Sequence, residues 1–225
     1  MYVYWYLVLI FDFYAGTGSA TQAFKDAGHT VISFELDDYF EATEHVDIRT
    51  LNAADLIAKY GQPDFVWASP PCTTFSMAAC YHYWEWNGTK AVPKHPKTYE
   101  AIELVQFTIK LLQELNPKHG WLMENPRALL RKQDFMQTLN RQTITYCQYG
   151  APNMKPTDLW GSVANWLPKP TCKPGMTCHN SAKRGSDTGT QGMGGGGKHG
   201  GVKRGMVPIG LGQELLIVIE ANNAK

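Results

Sequence analysis

The chain has almost no excess charge: 21 Lys and Arg stand against 20 Asp and Glu, a formal net of +1 over 225 residues. Attraction of the whole surface to a polyanion is therefore excluded, and any contact with nucleic acid has to come from a local basic patch. No apolar run is long enough to cross a bilayer. The hydrophobic start from Met1 to Ile10 lacks a basic leading region and runs directly into Phe11-Asp12-Phe13. It reads as a buried strand, and no membrane association is expected. Five cysteines, an odd number without framework spacing and with no secretory leader ahead of them, exclude a disulfide scaffold and indicate a reducing compartment, by default the cytoplasm. No internal repeat divides the chain into an array.

What is present is 44% hydrophobic and 12% aromatic residues, enough for one full core. Tyr4 to Tyr14 is an apolar, β-rich run that ends in Ala15-Gly16-Thr17-Gly18-Ser19, and Thr21 to Ala27 can form a short helix. That is strand, glycine turn, helix. A β-prone run over Thr30 to Glu35 follows, then a polar stretch to Asp47, a helix over Ala53 to Tyr60 and a buried strand over Asp64 to Ala68. Ile102, Val105, Ile109 and Leu112 give Thr98 to Leu115 a helical spacing, and Trp121 to Glu124 reads as a further strand. Strands alternating with helices predict a mainly parallel sheet wrapped by helices. From Pro168 to Gly205 the chain is dominated by Gly, Lys, Ser and Thr, including Gly194 to Gly197, and reads as a mobile or minimal insertion. Leu211 to Ile219 either closes the sheet or packs as a helix.

Three constellations carry chemistry. Gly16-Thr17-Gly18 lacks the third glycine of the dinucleotide fingerprint and the lysine of a phosphate loop, which disfavours a nucleoside triphosphate. It still allows close backbone approach to a small ligand, and Glu35, ending the second strand, is placed to accept bonds from ribose hydroxyls. Alone, the pair is equally a tight turn and a surface acid. Ser69-Pro70-Pro71-Cys72 follows a buried strand, so Cys72 falls at the carboxyl edge of the sheet behind two stiffening prolines. No Lys or Arg neighbours the sulfur in sequence to favour a thiolate, and an inert buried cysteine would look the same. Trp121-Leu122-Met123-Glu124-Asn125-Pro126 delivers a carboxyl and an amide to a strand end, where burial of the acid requires a proton or a partner.

In order and spacing these pieces resemble the DNA cytosine-5 methyltransferases, particularly the compact versions of phages and prophages. Asp12 to Gly18 corresponds to the cofactor loop, Glu35 and Asp47-Ile48 to adenosine contacts, Pro71-Cys72 to the nucleophile motif and Glu124-Asn125 to the base-binding motif. Gln148-Tyr149-Gly150-Ala151-Pro152 matches a Tyr-Gly-x-Pro run that arginines follow in the family; here Lys155 and Thr157 take their places. Two further departures are Glu-Asn-Pro for Glu-Asn-Val, and Ser69-Pro70-Pro71, which is shared with methyltransferases acting on exocyclic amines.

The resemblance implies a Rossmann-like class I S-adenosylmethionine-dependent methyltransferase fold. Residues 1–167 would be the catalytic domain, 168–206 a short glycine-rich DNA-recognition segment, and 207–225 a return to the catalytic domain. It implies Cys72, Glu124, Asn125 and Lys155 as catalytic residues. Tyr14, Ala15, Gly16, Thr17, Gly18, Ser19, Glu35, Leu36, Asp47, Ile48 and Pro70 would bind S-adenosylmethionine. The expected substrate is double-stranded DNA, whose cytosine is methylated at carbon 5 through a Cys72 adduct, by a monomer in the cytoplasm of a bacterial or phage-infected cell. RNA cytosine, an exocyclic amine, or a silent DNA-binding module of the same fold are the alternatives. Tyr81, His82, Tyr83, Trp84 and Trp86 follow the nucleophile as a lid or as core packing, while His95 and Lys97 offer phosphate contacts. In the glycine-rich segment Lys169, Lys173, Lys183, Arg184, Lys198, Lys203 and Arg204 suit phosphate binding. Cys172, Cys178, His179 and His199 offer zinc-binding chemistry, but Cys-x5-Cys-His matches no standard zinc spacing and no metal ligand is assigned.

Overall fold

The computed structural model of the protein describes residues 7–181 and 201–224. Its strands are β1 Leu9–Phe13, β2 Thr30–Glu35, β3 Glu44–His45, β4 Phe65–Ala68, β5 Trp84–Asn87, β6 Lys90–Pro93, β7 Gly120–Pro126, β8 Arg141–Thr145 and β9 Pro156–Val163. The helices are α1 Gln22–Asp26, α2 Ala53–Tyr60, α3 Cys80–Tyr83, α4 Pro96–Leu115, α5 Val202–Gly205 and α6 Ile209–Asn223. Seven strands make one open sheet in the order β3-β2-β1-β4-β7-β9-β8, and β5 and β6 pair as a separate hairpin. Neighbours from β3 through β7 are parallel. β9 runs antiparallel to both β7 and β8.

Side chains of a strand alternate between faces, and this sheet buries both. Phe11, Phe13, Val66 and Ala68 join one core with Leu56 of α2 and Val105, Leu111 and Leu112 of α4. Ile10, Phe65, Trp67 and Leu122 join the other with Phe24 of α1 and Leu211, Leu215 and Ile219 of α6. The choice left open at Leu211 to Ile219 is thus settled as a helix, since the buried residues recur every fourth position and the stripe lies on α1.

Local signals explain the element ends. Asn52 Oδ1 accepts the Asp55 amide at 2.9 Å to start α2, and Gly61 with φ 93° ends it. α4 begins two residues before Thr98 because Pro96 occupies its first turn and His95 Nδ1 accepts the Lys97 amide at 3.1 Å. β7 continues past Glu124 to Pro126, two residues beyond the expected end, because β9 pairs with it along its whole length. That pairing needs Gly161, which sits at φ 99° with any Cβ driven into the Trp121 carbonyl.

Candidate active site

The carboxyl end of β1 opens into a turn in which Tyr14, Gly16 and Gly18 all take positive φ, at 59°, 50° and 69°. The turn is tied at three points: the Ala15 amide donates to the Phe34 carbonyl at 3.2 Å, the Gly18 amide to the Ala15 carbonyl at 2.8 Å, and the Gly16 amide to Glu35 Oε2 at 2.9 Å. Glu35 Oε1 accepts the Leu36 and Asp37 amides at 2.8 and 3.0 Å. The side chain expected to face a ribose therefore also organises the turn's own backbone. Tyr14 reaches the other way, its hydroxyl 2.7 Å from Thr108 Oγ1 on α4.

Beneath the turn lies Asp12, only 1% exposed. Thr21 Oγ1 donates to its Oδ2 at 2.7 Å, while Oδ1 is buried without a hydrogen-bond partner. Burial pushes this carboxyl from 3.8 up to about 7, against the pull of Thr21 and Lys25. In the unfolded chain the same group ionises near 3.8, so the folded state holds the proton more tightly and stability falls as pH rises from there to about 7. The rise corresponds to an upper bound of about 4 kcal/mol. Asp12→Asn is expected to remove this slope and to be more stable than the parent above neutrality, as read by urea midpoints across that range; a parent midpoint that does not fall between about pH 4 and about pH 7 would overturn the assignment.

The loop that carries Cys72 leaves β4 at Ser69. The Ser69 amide donates to the Phe13 carbonyl at 3.0 Å, and its Oγ accepts Trp67 Nε1 at 2.7 Å, so both ends of this serine are occupied by the sheet. Pro70 is buried, and its carbonyl accepts Asn125 Nδ2 at 3.0 Å. Cys72 then reverses the chain, its carbonyl taking the Phe75 and Ser76 amides at 3.1 and 3.0 Å. The half-buried thiol is held up by burial and by the charge of Glu124, against the opposing pull of Lys155 and Arg204.

Parallel pairing of β4 with β7 ends at Ala68 opposite Met123, which leaves Glu124 as the first residue beyond it. Glu124 is buried. Tyr146 donates its hydroxyl to Oε1 at 2.9 Å, and Lys155 Nζ stands 3.9 Å from the same oxygen. Burial raises the Glu124 carboxyl, with Lys155 and Tyr146 working against it. Burial and the adjacent carboxylate raise the Tyr146 phenol well above its ordinary value, so it stays a donor. Lys155 occupies a left-handed backbone position, φ 29°, lies 4.4 Å over the Tyr146 ring and donates to the Arg204 carbonyl at 2.7 Å. Asn125 is fully buried, and its Oδ1 has no hydrogen-bond partner.

These pieces surround one cavity of about 640 Å³ at the carboxyl ends of β1, β4 and β7. Tyr14 to Thr17, Ser19, Pro70, Cys72, Glu124 and Lys155 line it, as do Asp12 and Arg204. Gly18, Glu35, Leu36, Asp47, Ile48 and Asn125 are not among its lining residues. Leu36 is exposed, Ile48 is buried in the core, and Asp47 caps a short 3-10 turn while pairing with Arg49 at 2.5 Å. Sequence reasoning missed Tyr146, which shares no motif with Glu124 and meets it only through the packing of the sheet edge. Arg204, expected among phosphate contacts, lines this cavity.

Behind Cys72 the aromatic run divides. Trp84 is buried with Nε1 donating to the Thr74 carbonyl at 2.6 Å, whereas Tyr81 and Trp86 are exposed. Core packing and surface are thus both present in the β5–β6 hairpin and the helix before it. Lys169, read as a phosphate contact, is already held 3.3 Å from Glu214 Oε2. Lys183, Arg184 and Lys198 lie outside the described residues. No described helix is long and apolar enough to cross a membrane.

A sheet in this order with β9 reversed, a glycine turn after β1 and a cavity at the carboxyl edge defines a Rossmann-like class I methyltransferase fold. Residues 8–149, well over half the chain, match the model of the C-5 cytosine-specific DNA methylases, and the chain belongs to that family. It is 28% identical over 174 residues to a probable DNA (cytosine-5)-methyltransferase of Frog virus 3 (isolate Goorha), covering 76% of this chain and 78% of the viral one. Similar solved structures include S. pombe Dnmt2 methyltransferase, with TM-score 0.46, 15% identity, and coverage of 72% of this chain and 50% of that one. Another is the Entamoeba histolytica methyltransferase EhMeth, with TM-score 0.49, 10% identity, and coverage of 79% and 58%. The chain spans between half and three-fifths of the length of these two structures.

Proposed function

We propose that this protein methylates carbon 5 of a cytosine flipped out of double-stranded DNA, with S-adenosylmethionine as donor and Cys72 as covalent nucleophile. One observation carries the reading: Cys72 and Glu124 line the same cavity as the turn Tyr14 to Thr17. A nucleophile, an acid and a small-ligand turn are then within reach of a single bound base.

The turn fits the cofactor. A Cβ at Gly16 would meet nothing within 4 Å, so open space adjoins the backbone there, and Asp12 Oδ1 is an orphaned buried acceptor on the same cavity. Tyr14 to Ser19 and Pro70 would hold S-adenosylmethionine, with Glu35, Leu36, Asp47 and Ile48 toward the adenosine. When bound, the cofactor supplies an electrophilic methyl group.

The protein's own residues do the rest. Carbon 5 of cytosine is a weak nucleophile, and addition of Cys72 Sγ to carbon 6 makes it enamine-like. Burial leaves Cys72 a thiol at rest, so its proton passes to water as the bond to carbon 6 forms. Glu124, whose carboxyl is raised by burial and so holds a proton more readily than an ordinary carboxyl, gives a proton to ring nitrogen 3, which neutralises charge developing on the ring. Tyr146 and Lys155 position that carboxyl and shield it from water. Asn125 holds the nucleophile loop through the Pro70 carbonyl. Once carbon 5 is methylated, its proton passes to water, Cys72 leaves as thiolate and ring nitrogen 3 returns its proton to Glu124, which restores the ring. A stacked duplex hides carbon 6, so the base must be extruded, at roughly a few kcal/mol. The glycine-rich segment 168–206, with Lys203 exposed at its end, is the contact surface for DNA phosphates, and a monomer in the cytoplasm suffices for the reaction.

Incubation with tritiated S-adenosylmethionine and DNA, with bisulfite sequencing of the product, tests the reading. Label in DNA at bisulfite-resistant cytosines is expected. Label confined to RNA or to exocyclic amines, or none across varied DNAs, would replace it with one of the other activities.

A further inference from the structure

Away from the cavity, the structure brings Cys147 to three residues that lie close together some 25 to 32 positions further along the chain. The ligand atoms of Cys147, Cys172, Cys178 and His179 all lie within 4.8 Å of one another. Cys147 belongs to the short 3-10 turn Tyr146–Tyr149 after β8, and the other three follow β9 at the start of the glycine-rich segment. His199, the other residue with zinc-binding chemistry in that segment, lies outside the described residues.

We infer that this cluster is a structural zinc site with three cysteine ligands and one histidine, which pins the start of the 168–206 segment to the wall of the base pocket. Three thiol groups and one imidazole are the ligand set of closed tetrahedral zinc, with no open position for water. The spacing agrees. With Zn–S at about 2.3 Å and Zn–N at about 2.0–2.1 Å, a tetrahedron has S···N edges of about 3.6 Å and S···S edges of about 3.8 Å. His179 Nδ1 stands 3.6 Å from Cys172 Sγ and 3.5 Å from Cys178 Sγ. The two sulfurs are 3.1 Å apart and unbonded. A metal ion would widen that one edge by several tenths of an ångström and leave the S···N edges in place.

The surroundings are those of a held ligand set. Cys147 is buried, which fixes one corner on the sheet. The Cys172 amide donates to Thr145 Oγ1 at 2.8 Å, and Gln148 Nε2 donates to Cys178 Sγ at 3.5 Å, an outer contact of the kind that orients metal thiolates. Two further bonds seat the loop on the same wall: the Lys169 amide donates to the Tyr149 hydroxyl at 2.9 Å and the Asn180 amide to the Pro152 carbonyl at 2.8 Å. Cys147 adjoins Tyr146, whose hydroxyl meets Glu124, so the metal joins the recognition segment to the acid through one side chain. None of the four ligands lines the cavity, and the site is not part of the methyl-transfer chemistry.

The full chain, purified reduced and without chelator, is to be analysed for metal by mass spectrometry. About one zinc per chain is expected, falling well below half in Cys172→Ser, Cys178→Ser and His179→Ala and unchanged in Cys80→Ser, whose sulfur lies outside the cluster. Cobalt added to the stripped protein should give the thiolate charge-transfer and tetrahedral ligand-field bands of a centre with three sulfur ligands and one nitrogen. These variants alter exposed or half-buried positions, so circular dichroism reports their folding independently of metal content. Folded parent protein that carries no zinc and takes up no cobalt, or that carries a Cys172–Cys178 disulfide when freshly prepared under reductant, would overturn the site. Neither readout depends on methyl transfer.

Discussion

Cys72→Ala will form no covalent complex with DNA containing 5-fluorocytosine, whereas the parent protein will form one that survives denaturation and migrates as protein plus DNA on a gel. The fluorine blocks loss of a proton from carbon 5, so an enzyme that has attacked carbon 6 and methylated carbon 5 cannot expel its thiol. Turnover on ordinary DNA should fall by on the order of 10⁴-fold or more, since without the thiolate the ring is never activated. Cys72→Ser places a hydroxyl that ionises far less readily and should be nearly as inactive. A parent protein that methylates DNA yet leaves no adduct would remove Cys72 from the chemistry and point to an exocyclic amine.

Glu124→Gln should cost roughly 10²- to 10⁴-fold in turnover, the usual range for losing a positioned acid. The amide can still bond ring nitrogen 3 but has no proton to release to it. The pH profile separates this from misfolding. In the parent, Cys72 is held above the ordinary thiol range and Glu124 above the ordinary carboxyl range. Thiolate accumulates as pH rises and protonated Glu124 is lost as pH rises, so turnover is expected to be bell-shaped. In Glu124→Gln the falling alkaline limb should disappear while the rising one remains. A variant with unaltered turnover, or with the alkaline limb intact, would show that another group supplies the proton.

Much of the parallel half of the fold is legible in the sequence because each element there carries a strong local signal. α2 has Asn52 before it and Gly61 after it, and β4 is four consecutive buried residues from Phe65 to Ala68. The glycine turn, Cys72 and Glu124 are legible as well, each at the carboxyl end of a strand. The antiparallel edge is not. Pro156–Val163 contains a proline, a buried aspartate at Asp158 and Gly161, all of which argue against a strand when read alone. Only pairing on both sides makes it one. Everything that this edge brings together was hidden with it: Tyr146 against Glu124, and Cys147 against Cys172, Cys178 and His179. Zinc spacing is a rule about neighbours along the chain, and Cys147 joins the other three only through the fold of this edge.

On the function proposed above, the bond from Asn125 Nδ2 to the Pro70 carbonyl has a thermodynamic consequence for DNA binding. Parallel pairing of β4 with β7 and this buried amide link fix the Cys72 loop and Glu124 to each other without any ligand. Little reorganisation remains for the docking event to drive inside the site. The free energy of phosphate contact would then be available to unstack the cytosine, the one rearrangement that belongs to the substrate. Loosening that link, without touching either reacting group, would divert part of the same free energy into ordering the protein.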